Sequence, residues 1–256
     1  MKIGICGEAK YWAALKQMGY DYAEGYFRAI ALYSEEEFKD IQMCQRNAAL
    51  CLEAVNGLFG KEFDLYGGKD THARIREYAE RGFYRSALLG AKIAVFGSGA
   101  ARNLPQDMEK DRAIERFSEV SYLLGDLAKQ NGMKLAIEPL SYRETNFIHT
   151  LKDGLAICDN IGHGNVGLTL DFFHSYQNGE DLSDMEAAKK YLFHVHLARP
   201  NADRKAPTEA DTEKCRSWAA LLHGIGYQER ISLEAVFSED FLGDCRNAYP
   251  VMQLFQ

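Results

Sequence analysis

Val166-Gly167-Leu168-Thr169-Leu170-Asp171 alternates large apolar residues with small or polar ones and ends on an acid. Alternation with a period of two marks a β-strand whose faces meet different surroundings. Val166, Leu168 and Leu170 suit packing against helices, which leaves Gly167, Thr169 and Asp171 on the opposite face. The same parity recurs in Phe193-His194-Val195-His196-Leu197, where Phe193, Val195 and Leu197 face helices and both histidines point the other way. Leu135-Ala136-Ile137-Glu138 and Ile231-Ser232-Leu233-Glu234-Ala235 repeat it, with Glu138, Ser232 and Glu234 on the polar side.

Eight such runs are spread over the chain: 2–6, 22–26, 50–55, 92–96, 134–140, 166–171, 193–198 and 231–236. Helical segments lie between them. Ser34 to Glu37, Thr150 to Asp153 and Ser183 to Glu186 each place an acid three positions after a capping residue, and Gly132, Gly162 and Gly224 sit where helices should stop. The helix over about 107–131 carries Phe117, Val120, Leu123, Leu124 and Leu127 as a core-facing stripe.

Strand and helix alternating eight times predict parallel strands closed into a (β/α)8 TIM barrel of the α/β class, one domain over residues 1–256. The rival is a doubly wound open sheet. It lacks support, because Gly97-Ser98-Gly99 is not followed by the third glycine of a dinucleotide-binding turn. In a barrel one strand parity faces the axis, and Glu138, Asp171, His196 and Glu234 all come near the C-terminal ends of their strands, where barrel active sites form.

Composition narrows the function classes. A net charge of −7 and a pI near 5.6 argue against a protein that grips nucleic acid through phosphates. Six cysteines without a C-x-x-C pair read as reduced thiols and suggest a cytoplasmic protein. The apolar run at Met1–Cys6 is too short for a signal-peptide core or a membrane span.

Three carboxylates gathered in one pocket repel one another, and a divalent cation removes that penalty. Three oxygens with one imidazole suit Mn²⁺, with Mg²⁺, Co²⁺ or Zn²⁺ as alternatives, and leave positions open for two neighbouring substrate oxygens. Taken singly, each side chain reads better as a buried or rim polar group held by hydrogen bonds. Four at equivalent strand ends point to shared chemistry.

Ala136-Ile137-Glu138-Pro139-Leu140 with Glu144, Leu170-Asp171-Phe172-Phe173-His174, His194-Val195-His196 and Ser232-Leu233-Glu234 together resemble the sugar phosphate isomerase and epimerase group of xylose isomerase-like barrels. That group includes tagatose and allulose epimerases and hydroxypyruvate isomerase. The resemblance runs over essentially the whole chain. It implies one divalent metal held by Glu138, Asp171, His196 and Glu234, with Glu138 and Glu234 also exchanging a substrate proton through a metal-stabilised enediolate. It further implies substrate contacts from Glu144, His174 and an arginine after the metal-binding histidine. Arg204 takes that role ahead of Arg199, although its spacing does not match the sugar epimerases cleanly.

The expected substrate is a small ketose or related keto-sugar, and a homo-oligomer is left open. Alternatives are a metal-dependent dehydratase or lyase acting on a keto-polyol or keto-glycoside, a non-catalytic sugar-binding barrel, and an apurinic-site endonuclease. The last asks for more histidine ligands and a basic groove than this acidic chain offers.

Other residues read two ways. His194 shares the inward parity one layer lower and is expected as a hydrogen-bonding histidine. The turn Phe96-Gly97-Ser98-Gly99 with Arg102 suits either an anion site or a tight turn with a solvated arginine. Trp12 and Phe59 suit an apolar wall against a sugar or ordinary packing, Glu24 and Glu53 either pocket hydrogen bonds or structural acids, and the segment 57–70 a wall, a lid or a surface loop.

Overall fold

The computed structural model describes residues 1–256, apart from the side chain of Lys69. Eight parallel strands run β1 (Lys2–Cys6), β2 (Tyr22–Tyr26), β3 (Cys51–Asn56), β4 (Ile93–Phe96), β5 (Lys134–Ile137), β6 (Val166–Asp171), β7 (Leu192–Leu197) and β8 (Arg230–Leu233). They close in sequence order, and β8 pairs with β1 through Ile3 beside Ile231 and Ile5 beside Leu233. The chain is an α/β TIM barrel.

The outer layer is built from α1 (Trp12–Met18), α2 (Phe27–Leu32), α3 (Glu35–Ala48), α4 (Lys69–Leu88), α5 (Gly99–Arg102), α6 (Lys110–Gln130), α7 (Leu151–Ile161), α8 (Phe172–Gln177), α9 (Met185–Ala188), α10 (Thr212–Gly224) and α11 (Phe241–Met252). Its core lies between helices and strands, where Leu135, Ile137, Leu168, Leu170, Val195 and Leu233 are buried. Phe96 stacks on Phe117 of α6 and Phe172 on Trp218 of α10, adding oriented aromatic contact to the burial. Among the described residues no helix is long and apolar enough to cross a membrane.

Inside the barrel, Tyr22, Ala54, Ile93, Val95 and Ala136 form a second apolar cluster that fills the floor. Small residues make room for large ones: a Cβ on Gly4 would lie 2.2 Å from the Tyr22 ring, and one on Gly167 would lie 2.5 Å from the Phe193 ring. Phe193 therefore departs from the expected parity. It packs against the inner cluster and not the helices, because the β6–β7 register slips between Leu168 and Thr169 and inserts one residue there.

Capping boxes form at Ser34–Glu37 and Thr150–Asp153 as the spacing predicts. The one expected at Ser183–Glu186 does not; Ser183 N–H donates to Asp181 and Asp184 sits at the N-cap of α9. Gly162 ends α7 in the left-handed region, and Gly132 follows the end of α6 with φ 66°. Gly224 is instead the last helical residue of α10, and Gly226, with φ 70°, takes the left-handed turn.

Candidate active site

Glu138, Asp171, His196 and Glu234 come together at the C-terminal mouth, each with a ligand atom within 4.8 Å of the others. Local structure aims each one. Glu138 directly follows β5 and its N–H donates to Phe96 O at 3.2 Å, while Glu234 follows β8 and donates to Leu197 O at 3.0 Å. Asp171 closes β6 and caps α8: its Oδ1 accepts from Phe173 N–H at 2.7 Å, leaving Oδ2 for the site. His196 is completely buried between them.

The imidazole of His196 meets three carboxylates. Nδ1 lies 2.8 Å from Glu138 Oε1 and 2.9 Å from Glu234 Oε2, and Nε2 lies 3.0 Å from Glu24 Oε1. A neutral ring carries one N–H and cannot serve all three. With that proton on Nε2 toward Glu24, Nδ1 is a lone pair facing two carboxylate oxygens, an arrangement that a cation among them would satisfy. The donor set therefore fits a divalent metal of the Mn²⁺, Mg²⁺ or Co²⁺ kind.

Without a cation the electrostatics are carried by protons and by Arg204. Burial alone would lower the His196 imidazole, but Glu234, Glu24 and Glu138 hold it well above its ordinary value. Burial, reinforced by Glu234 and Asp171, raises the Glu138 carboxyl. Burial works the same way on Glu234 but is outweighed by the charges of His196 and Arg204, which bring it down to about 2.

Arg204 Nη2 donates to Asp171 Oδ2 at 2.8 Å and to Glu234 Oε2 at 2.5 Å. Its backbone adopts a left-handed φ of 52° that turns the side chain back over the mouth, and its guanidinium lies over the Phe173 ring. Arg199 instead faces Asp211, with Nε 3.5 Å from Oδ2. His174, buried, accepts from Ser141 N–H at Nδ1, and its Nε2 lies 3.5 Å from Asp171 Oδ2. Glu144 stands at the rim, 3.6 Å from Arg204 and 3.8 Å from His174.

Two side chains join the site with more weight than the sequence alone assigned. Glu24, buried on β2, holds His196 with Oε1 and His194 Nε2 with Oε2 at 2.9 Å. Beneath it, Tyr22 OH pairs with Ser232 Oγ at 2.8 Å, which in turn lies 3.4 Å from His194. Asn56, at the end of β3, donates to Glu234 Oε1 at 3.1 Å and to Cys6 Sγ at 3.4 Å. Parity points to Glu24, because it shares a face with Tyr22; nothing in the sequence marks Asn56.

Other expectations resolve differently. Arg102 is neither an anion ligand nor solvated: it is fully buried and donates to the carbonyls of Phe96, Glu138 and Ile148. Gly97 is needed because a Cβ there would lie 2.4 Å from Glu138 Oε2. Glu53 pairs with Lys2 and Arg230 away from the mouth. Phe59 packs among Phe63, Tyr78 and Phe96, and its segment is pinned by Tyr78 OH on Leu58 O and by Phe59 N–H on Ser98 Oγ, so it is a packed wall and not a lid.

The family model for the xylose isomerase-like TIM barrel matches residues 12–244. A D-psicose 3-epimerase of Agrobacterium fabrum is 25% identical over 204 residues, covering 77% of this chain and 68% of that protein. A probable ketose 3-epimerase of Synechocystis sp. is 28% identical over 128 residues, covering 49% of this chain, and the match spans only 43% of that relative's length. The crystal structure of the 3-keto-D-glucoside 4-epimerase of E. coli superposes with a TM-score of 0.83 at 18% identity, over 99% of both chains.

Proposed function

Because this chain belongs to the xylose isomerase-like TIM-barrel family, we propose that it is a divalent-metal-dependent epimerase or isomerase of a keto-sugar, with Glu138 and Glu234 as its proton-transfer groups. The observation that carries this reading is the convergence of Glu138, Asp171, His196 and Glu234 from four strands onto one point. Curated relatives named as ketose 3-epimerases support the substrate class.

A bound divalent cation would supply charge neutralisation and polarisation of a carbonyl, with those four side chains holding it. The remaining work falls to the chain. Glu138 and Glu234 reach the same edge of His196 from β5 and β8, so a sugar lying there presents a carbon-bound proton to one and receives a proton from the other. Return to the opposite face of the same carbon epimerises; return to the adjacent carbon isomerises. Arg204, His174 and Glu144 surround the oxygens of that sugar, with Arg204 opposing charge that develops on them.

The test is deuterium uptake from D₂O beside the carbonyl of a panel of ketoses and keto-sugars, with the Mn²⁺-loaded enzyme read by NMR. Glu138→Gln and Glu234→Gln should each slow exchange by roughly 10²- to 10⁴-fold. Full exchange in either variant would end the two-glutamate reading.

A further inference from the structure

A cavity of about 670 Å³ opens beside the site, between the ends of β1, β2 and β3 and the helices α1, α2 and α3. Its inner wall includes Cys6, Glu24 and Asn56, and Asn56 donates to Glu234 Oε1 at 3.1 Å. The cavity therefore begins one side chain away from a proposed proton-transfer group. Farther out, Trp12, Ile30, Ile41 and Leu52 give it an apolar side, while Glu8, Lys10, Tyr26 and Tyr33 also line it.

That size lies within the roughly 300–1,000 Å³ of pockets that enclose ligands larger than a bare monosaccharide. An unsubstituted ketose carries an oxygen on every carbon, and hydroxyls set against the apolar side of Trp12, Ile30, Ile41 and Leu52 would lose hydrogen bonds to water that those four side chains do not replace. A phosphate is no better served. Among the described lining residues Lys10 is the one cation, and its ammonium already pairs with Glu8 at 2.9 Å.

We propose that the substrate is a keto-glycoside with an apolar aglycone, its sugar ring at the four-residue cluster and its aryl or alkyl group in this cavity. The proposal rests on the epimerase reading above. No bond to the aglycone is made or broken: one C–H bond of the sugar breaks, one C–H bond forms, and the substituent serves only for binding and orientation. Affinity comes from burying apolar surface against Trp12 and the aliphatic wall.

The experiment compares methyl, octyl and phenyl 3-keto-glucosides and free D-fructose with the Mn²⁺-loaded enzyme, following deuterium exchange and kcat/KM. The octyl and phenyl compounds should exceed the methyl one by at least about tenfold. Ile41→Asn, on the half-buried outer wall, should abolish that advantage. In parallel, non-reacting phenyl glucoside should change Trp12 fluorescence in wild-type enzyme but not in Trp12→Phe. Exchange that is equally efficient with methyl and phenyl compounds overturns this assignment and leaves the epimerase reading intact. A Trp12 response without exchange in any keto-sugar supports the apolar subsite and overturns the epimerase reading. Neither response nor exchange overturns both.

Discussion

Glu24 Oε1 and His196 Nε2 face each other at 3.0 Å inside the barrel, with both side chains shut off from solvent. A carboxylate on the far nitrogen of an imidazole selects its tautomer and turns its other lone pair toward the opening. Glu24→Gln should therefore fold but bind Mn²⁺ about 10- to 100-fold more weakly, and Glu24→Ala should bind it more weakly still. Calorimetric titration of the metal measures this directly. Wild-type affinity in both variants would reduce Glu24 to a lumen filler.

The same imidazole would make uptake of the proposed metal depend on pH. In metal-free protein the surrounding carboxylates hold His196 above its ordinary 6.5, so its extra proton stabilises the fold fully below 6.5 and that stabilisation fades as pH rises through the folded value. A cation bound by the proposed ligands would take the place of that proton at Nδ1. Metal affinity should climb with pH across this window and uptake should release a proton, read by calorimetry in buffers of different protonation enthalpy. Proton-neutral binding under mildly acidic conditions contradicts the arrangement.

Gly97 offers a substitution that separates chemistry from stability. Its φ is not in the left-handed region, so alanine suits the backbone, but the added methyl would meet Glu138 Oε2 at 2.4 Å. Gly97→Ala should keep a Tm close to wild type while exchange activity drops at least about tenfold, since a displaced carboxylate loses its near-attack position. Unchanged activity would mean that Glu138 has room to yield.

Arg102 should behave in the reverse way. Its guanidinium serves three carbonyls in a site without solvent, and burial lowers its pKa to about 10. Arg102→Met leaves those oxygens without donors, and urea denaturation should show a loss of roughly 2–5 kcal/mol. A loss under about 0.5 kcal/mol, the range of ordinary surface changes, argues against that role.

Periodicity reads the barrel well where a strand has one apolar and one polar face. The parity of 166–171, 134–138 and 231–234 places Asp171, Glu138 and Glu234 on the side where they are found, although Glu138 and Glu234 fall just past the paired residues of β5 and β8. Phe193 escapes the same reading because an inserted residue reverses facing locally, and a bulge leaves no mark in hydrophobic pattern. Arg204 is reached through a left-handed residue in a loop, and Asn56 through contacts with Cys6 of β1 and with Glu234 just past β8, both remote from it along the chain. Such meetings depend on barrel closure, which pattern predicts, and on side-chain direction at loop ends, which it does not.

The loops after β7 and β8 are stitched together: Arg199 N–H donates to Lys205 O at 3.0 Å, Val236 N–H to Arg204 O at 2.8 Å, and the Arg204 side chain closes on Glu234. Any outward swing of the segment carrying Arg204 must drag the β8 end with it and disturb the acid. That flank behaves as a fixed jamb. The cavity lined by Trp12 and Asn56 lies on the other half of the rim, so a bulky substituent of the proposed kind would approach from that side.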